Sequence, residues 1–259
     1  MFAMVFSVNA LARSINNLTS TSTSKLEDNK NSVKSAWSNQ LTATQVQPMV
    51  KESKPATKLA YSLDYAFSES SSVAADLAYK YTWDQFEDQK PSRIDDMDLS
   101  LNNKWSQAEL ETFVTLPVSE VSIKESMRFG IGIKPSVFTD LGRNHFSFSQ
   151  SVAYYNYEFE TANKAGSRYN TQYSADTTLG YSFAMTKSQK ISLNTGLLST
   201  QDYDDHLDQA YFLSLRWGIA LSKKISLFSL ARTQDQVLTQ KQIFDYDRSS
   251  FALGVNYVF

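Results

Sequence analysis

The sequence predicts an all-β chain: a closed, antiparallel, up-and-down barrel whose strands cross a membrane. Three observations lead there. From Leu59 to the last residue, large apolar side chains recur at alternate positions in run after run, the two-residue period of a strand with one apolar and one polar face. The chain is rich in aromatics, with 14 Tyr, 16 Phe and 4 Trp in 259 residues, yet its mean hydropathy is −0.37. Strands that face lipid on one side and water on the other give this combination, because alternation dilutes the apolar signal. Finally, there is no uninterrupted apolar run of about eighteen residues, so crossing by helices is excluded.

Composition narrows the function classes. The absence of Cys removes disulfide, zinc-thiolate and Cys-nucleophile chemistry. A net charge of −2 gives no footprint for nucleic acid. No linker divides the chain after about residue 57, so residues 35–259 read as one barrel domain.

The elements follow in chain order. Met1 to Ala12 is apolar and ends in Ala10-Leu11-Ala12, the small-x-small pattern of a secretory cleavage site. No Lys or Arg precedes it, so it reads as the remnant of a signal peptide, with a core helix fragment as the competing reading. Residues 13–34 are rich in Ser, Thr and Asn with little apolar periodicity, which predicts a flexible periplasmic segment. A short helix entering the lumen, as in autotransporter translocators, is the alternative. Leu59, Tyr61, Leu63, Tyr65 and Phe67 then share one face, and after a turn Val73, Ala75, Leu77, Tyr79, Tyr81 and Trp83 resume the pattern, predicting a hairpin. Further strands are expected at 95–105, 108–118, 121–135, 145–158, 168–185, 190–200, 209–221, 224–234 and 248–259.

In the last of these, Phe251, Leu253, Val255, Tyr257 and Phe259 form an apolar face that ends on an aromatic residue. Here the chain resembles bacterial outer-membrane β-barrel proteins, small and porin-like in size. In that class the closing strand characteristically ends in a Phe recognised by the barrel-assembly machinery. The resemblance implies a Gram-negative outer membrane, with its lipid and lipopolysaccharide and the assembly machinery as partners. Such barrels have an even number of strands with both ends in the periplasm. The eleven runs after residue 57 therefore require a twelfth, and Trp37, Leu41 and Ala43 place it at about 35–46; ten strands, by merging two runs, is the alternative. Short periplasmic turns are expected at 69–72, 106–107, 136–144, 186–189 and 222–223. Longer polar surface loops are expected at 47–56, 85–94, 159–167, 201–208 and 235–247, with a short one at 119–120. Aromatics then fall into two girdles, one with Tyr65, Trp105, Phe146, Tyr181 and Tyr257, the other with Tyr81, Trp83, Tyr154 and Tyr173.

Opposite parity gives the lumen. The acidic lining residues are Asp64, Asp76, Asp96, Asp98, Glu109 and Glu111, and the basic ones Arg128, Lys134, Arg216 and Arg232, with Lys80, Asp84 and Lys124 also inward. Carboxylates and guanidinium groups facing each other across a narrow bore set up a transverse field, or pair and close it. A passive channel for small hydrophilic solutes is the expectation. A non-conducting scaffold, adhesin or receptor acting through its loops is the alternative. Neither cofactor nor metal is expected, and no catalytic set is assigned. His145 reads as a rim residue, and His206 with Asp204 in the loop Gln201–Asp208 resembles an omptin acid–His pair in two residues only. No Gly-x-Ser-x-Gly elbow or His-Glu-x-x-His run occurs.

Overall fold

The computed structural model describes residues 37–49, 54–83, 92–161, 169–236 and 249–259. The two N-terminal segments expected at 1–12 and 13–34 lie outside these residues, as does Asp84. The strands are β1 (Trp37–Pro48), β2 (Ala56–Ala66), β3 (Ser71–Thr82), β4 (Ser92–Ile94), β5 (Met97–Lys104), β6 (Ala108–Leu116), β7 (Met127–Leu141), β8 (Asn144–Tyr157), β9 (Thr171–Ala184), β10 (Gln189–Asp202), β11 (Leu207–Ala220), β12 (Ile225–Gln236) and β13 (Ser249–Val258). Each pairs antiparallel with its chain neighbour, except that β4 and β5 both pair with β3 and together form one stave. The result is a closed barrel of twelve staves.

Closure is made by the first and last strands. β1 pairs with β13 from Gln40↔Val258 to Pro48↔Ser250, the Phe259 N–H donates to the Asn39 carbonyl at 3.0 Å, and the buried Thr42 hydroxyl donates to Asn256 Oδ1 at 2.9 Å. The weak alternation at the start of the described chain is therefore the strand that leaves the sheet without an edge.

Facing follows parity. Leu253 on β13 and Phe259 just after it are 55% and 60% exposed while Ala252 is 4%, so the apolar face is turned outward, toward lipid. Ring pairs mark both ends of this belt. Trp37–Tyr65 and Phe146–Tyr181 lie at the short-turn end, and Tyr81–Trp83 and Tyr154–Tyr173 at the loop end, with centroids 4.5 to 5.4 Å apart. Aromatic girdles at both interfaces are the mark of a membrane barrel.

Two expected boundaries are corrected. The run read as a strand from 121 begins with a helical turn, α1 (Glu120–Lys124). Val121 and Ile123 alternate as in a strand. However, the Ser119 side chain caps the turn by accepting the Ser122 N–H at 3.1 Å, and Glu120 pairs with Lys124 at 3.0 Å across one helical turn. β7 then runs on to Leu141, so the turn expected at 136–144 shrinks to Gly142-Arg143, with Gly142 at φ +64°. The loop expected at 119–120 is correspondingly the segment from 117 to 126. The second correction is the stave β4–β5, which starts at Ser92 and not at 95. Between the pairs Tyr79↔Ile94 and Asp76↔Asp98 it carries one extra residue, a bulge that turns both Asp95 and Asp96 away from lipid.

Candidate functional site: the barrel lumen

The inward row of each strand builds the lumen, and its two halves differ in construction. On the half from β2 to β7, most carboxylates are held by neighbouring hydroxyls or cations. Asp76 accepts from the Ser62 hydroxyl, Asp64 from Ser72 at 3.3 Å, and Asp98 from Thr115 at 2.6 Å. Glu111 pairs with Lys134 at 3.3 Å, and Glu109 lies directly opposite Lys104. Asp96, expected in the bore, turns to the loop above it, accepting the Ser119 N–H at 2.9 Å and the Ser122 hydroxyl. It is the anchor of α1.

Two expected basic lining residues are displaced. Lys124 sits on α1 with its side chain 71% exposed. Arg128 is the extra residue where the pairing slips between Met127↔Tyr157 and Phe129↔Asn156; Met127 is buried, Phe129 is exposed, and simple alternation does not extend to the residue between them.

On the half from β10 to β13, the wall is laminated. Gly196 pairs with Phe212 and Gly254 with Phe228. In each case the ring occupies the space that a Cβ on the glycine would need. The same device recurs at Gly132↔Phe113 and Gly130↔Tyr155. Aromatic cover of strand glycines is a known stabilising pairing, and here it lays inward-facing rings against the wall. A third layer lies on two of them, with the Arg216 guanidinium 4.2 Å from the Phe228 centroid and that of Arg232 4.7 Å from Phe212. Both arginines are buried on the inner side of the barrel, each 6% exposed. Sequence reasoning missed Lys190, inward on β10 opposite Gly218, and Asp176 on β9, which accepts from Thr178 at 2.8 Å.

The two histidines lie apart. His145 Nδ1 meets Asp140 at 2.7 Å and its ring stacks on Phe138 at the short-turn end. In the 203–206 turn, Asp202 accepts the backbone N–H groups of Asp204 and His206 at 2.9 and 3.0 Å, so this acid is used to shape a tight turn. Among the described residues no acidic and histidine groups converge on a metal-sized site. At the cell-surface end the segments from 117 to 126 and from 158 to 161 are tied to the β8–β10 end by buried Asn170, which donates to the Phe159 carbonyl at 2.9 Å. The Tyr203 hydroxyl adds a bond to the Tyr155 carbonyl at 3.1 Å.

No protein-family model matches the sequence, and no curated protein matches it either. Among solved structures the barrel is similar to an outer-membrane channel from Pseudomonas putida F1, with a TM-score of 0.61 at 10% identity over 90% of this chain and 100% of that one. It is also similar to the KdgM porin, with a TM-score of 0.52 at 8% identity over 85% and 99% of the two chains. These likenesses establish the fold. With its outward apolar belt and paired girdles, the protein is a twelve-stave outer-membrane β-barrel.

Proposed function

We propose that the protein forms a narrow channel through which small hydrophilic solutes diffuse passively across the outer membrane. The observation that supports this reading is the treatment of bulky inward residues. Phe113, Tyr155, Phe212 and Phe228 lie over glycines of the adjacent strand, against the wall; the remaining inward positions are mostly polar, charged or small, with Leu198 and Leu230 packed against the rings. Eight strands enclose an interior that side chains fill and sixteen leave an aqueous pore; twelve staves with flattened rings fall between the two. The purified barrel in planar bilayers is expected to show discrete conductance steps of small size. Absence of conductance above background at both low and high salt sinks the channel. The surface loops, with exposed Val121, Ile123 and Phe159, then carry a scaffold or receptor role.

A further inference from the structure

Lys58, Lys80 and Arg93 stand directly opposite one another on three adjacent staves, through the pairs Lys58↔Lys80 and Lys80↔Arg93. Their outward neighbours Leu59, Tyr79 and Ile94 are exposed, so all three side chains face the lumen, near its cell-surface end. Like charges directly opposite on neighbouring strands repel and destabilise a sheet. Among the described residues one carboxylate forms ion pairs with this row: Asp95, itself 7% exposed and brought inward by the bulge, lies 3.4 Å from Lys58 Nζ and 3.6 Å from Arg93 Nε. The next acids are engaged elsewhere, Asp96 by Ser119 and Ser122 and Asp98 by Thr115. Lys80 has no ion-pair partner among the described residues.

The donors are also poorly met. Lys58 is 7% exposed and its Nζ reaches Asp95 only at 3.4 Å, Arg93 Nε reaches it only at 3.6 Å, and the buried Arg93 Nη2 has no hydrogen-bond acceptor among the described residues. Buried N–H groups left without acceptors are costly, and among the described residues three cations against one paired carboxylate leave an excess of two positive charges. A fold retains such a conflict where a ligand resolves it. From this geometry we infer that the Lys58–Lys80–Arg93 row is an anion-binding station for a small, doubly charged oxyanion, of which inorganic phosphate is the simplest. Ammonium groups supply point charge and several donors, and the guanidinium fork supplies paired donors to two oxygens of one anion. The station lies in the same lumen as the proposed channel and acts on transport only if that lumen conducts. Binding itself does not require conduction.

The test uses the full chain folded in detergent micelles, with thermal unfolding followed as inorganic phosphate is added at pH 8 against chloride of equal ionic strength. A ligand that binds the folded state raises its melting temperature with concentration. Phosphate is expected to stabilise the wild type beyond chloride. Lys80→Gln should weaken the apparent affinity by roughly tenfold or more, the loss expected for a charged hydrogen-bond partner, and Lys80→Arg should keep it. Because Lys80→Gln relieves repulsion, its melting temperature without phosphate should equal or exceed that of the wild type; Arg93→Gln serves as the second variant. A wild type with no preference for phosphate, or Gln variants that bind as tightly as it does, overturns the station. Conductance in chloride is measured separately. Phosphate binding without conductance keeps the station and removes the channel, and conductance without phosphate binding does the reverse.

Discussion

The two halves of the lumen wall solve the same problem, buried charge in a membrane barrel, by opposite means. From β2 to β7, Asp64, Asp76 and Asp98 are met by Ser and Thr hydroxyls and Glu111 by Lys134, so below the cationic row each of these carboxylates is answered in the plane of the wall. From β10 to β13, away from the cell-surface rim, no acidic side chain faces inward among the described residues. Arg216 and Arg232 are stabilised by the faces of Phe228 and Phe212. Stacking engages the π face of a guanidinium and confines its hydrogen bonding to its own plane. Hydrogen-bonded carboxylates have part of their field offset locally by the donor dipoles, whereas a phenyl ring offers only a quadrupole and leaves the arginine its unit charge. The basic half is therefore expected to dominate the field in the bore.

This comparison depends on which face is the lumen, and the largest expected effect tests that. Leu215 is 51% exposed on the outer face of β11, between inward Ser214 and Arg216. Leu215→Arg should destabilise the barrel by about 2–4 kcal/mol, the cost of an arginine at the lipid midplane, as read by urea unfolding in lipid vesicles. Leu207→Arg, at the loop end of the same strand, should cost about 0–1 kcal/mol because that depth is interfacial. Equal effects at the two depths would mean that the outer face is not in lipid.

A smaller effect separates the laminated half from the hydroxyl-bonded half. A Cβ at Gly254 meets the Phe228 ring and the Ala43 carbonyl, so Gly254→Val should cost about 1–3 kcal/mol, the usual range for overpacking. Phe228→Leu in the same chain should recover part of that loss in a double-mutant cycle. Asp76→Asn, by contrast, keeps a partner for Ser62 and should change stability by less than about 1 kcal/mol. A Gly254→Val variant as stable as the wild type would show that the ring is not seated on the glycine.

Much of this was legible in the sequence because lipid imposes a strict rule on every second residue. The facing of Leu215 against Arg216, the inward Arg232 and the need for a strand near residue 37 all follow from alternation and an even strand count. What was hidden depends on register or on a break in alternation. Val121 and Ile123 repeat like strand residues, and only the Ser119 cap and the Glu120–Lys124 pair reveal a helical turn. Arg128 was misplaced because a bulge shifts parity without leaving a sequence signature, and Asp96, of inward parity, is drawn to the loop by Ser119 and Ser122, contacts that only the fold reveals. The cationic row escaped notice because Lys58 and Arg93 lie one and two residues outside the expected strand starts, and because cross-strand neighbours are known only once the pairing is. The glycine–aromatic pairs are hidden for the same reason: each glycine and its ring come from different staves.

The smallest perturbation asks which half sets selectivity. Over a Debye length of about 10 Å at 0.1 M salt, fixed charge on the wall attracts counter-ions and excludes co-ions. Arg216→Gln with Arg232→Gln removes two charges from the laminated half and should move the reversal potential in a salt gradient toward cation preference. Asp76→Asn with Asp98→Asn removes two charges from the other half and should move it toward anion preference, but by less, because those carboxylates are already answered by Ser62 and Thr115. The order of the two shifts carries the argument. Shifts of equal size would mean that hydroxyl bonding leaves the acidic field intact and that the halves act as a symmetric pair. A larger shift from the aspartate variant would place the controlling charge on β3 and β5 and leave the stacked arginines a packing role, which unchanged selectivity but lowered stability in the arginine variant would then show directly.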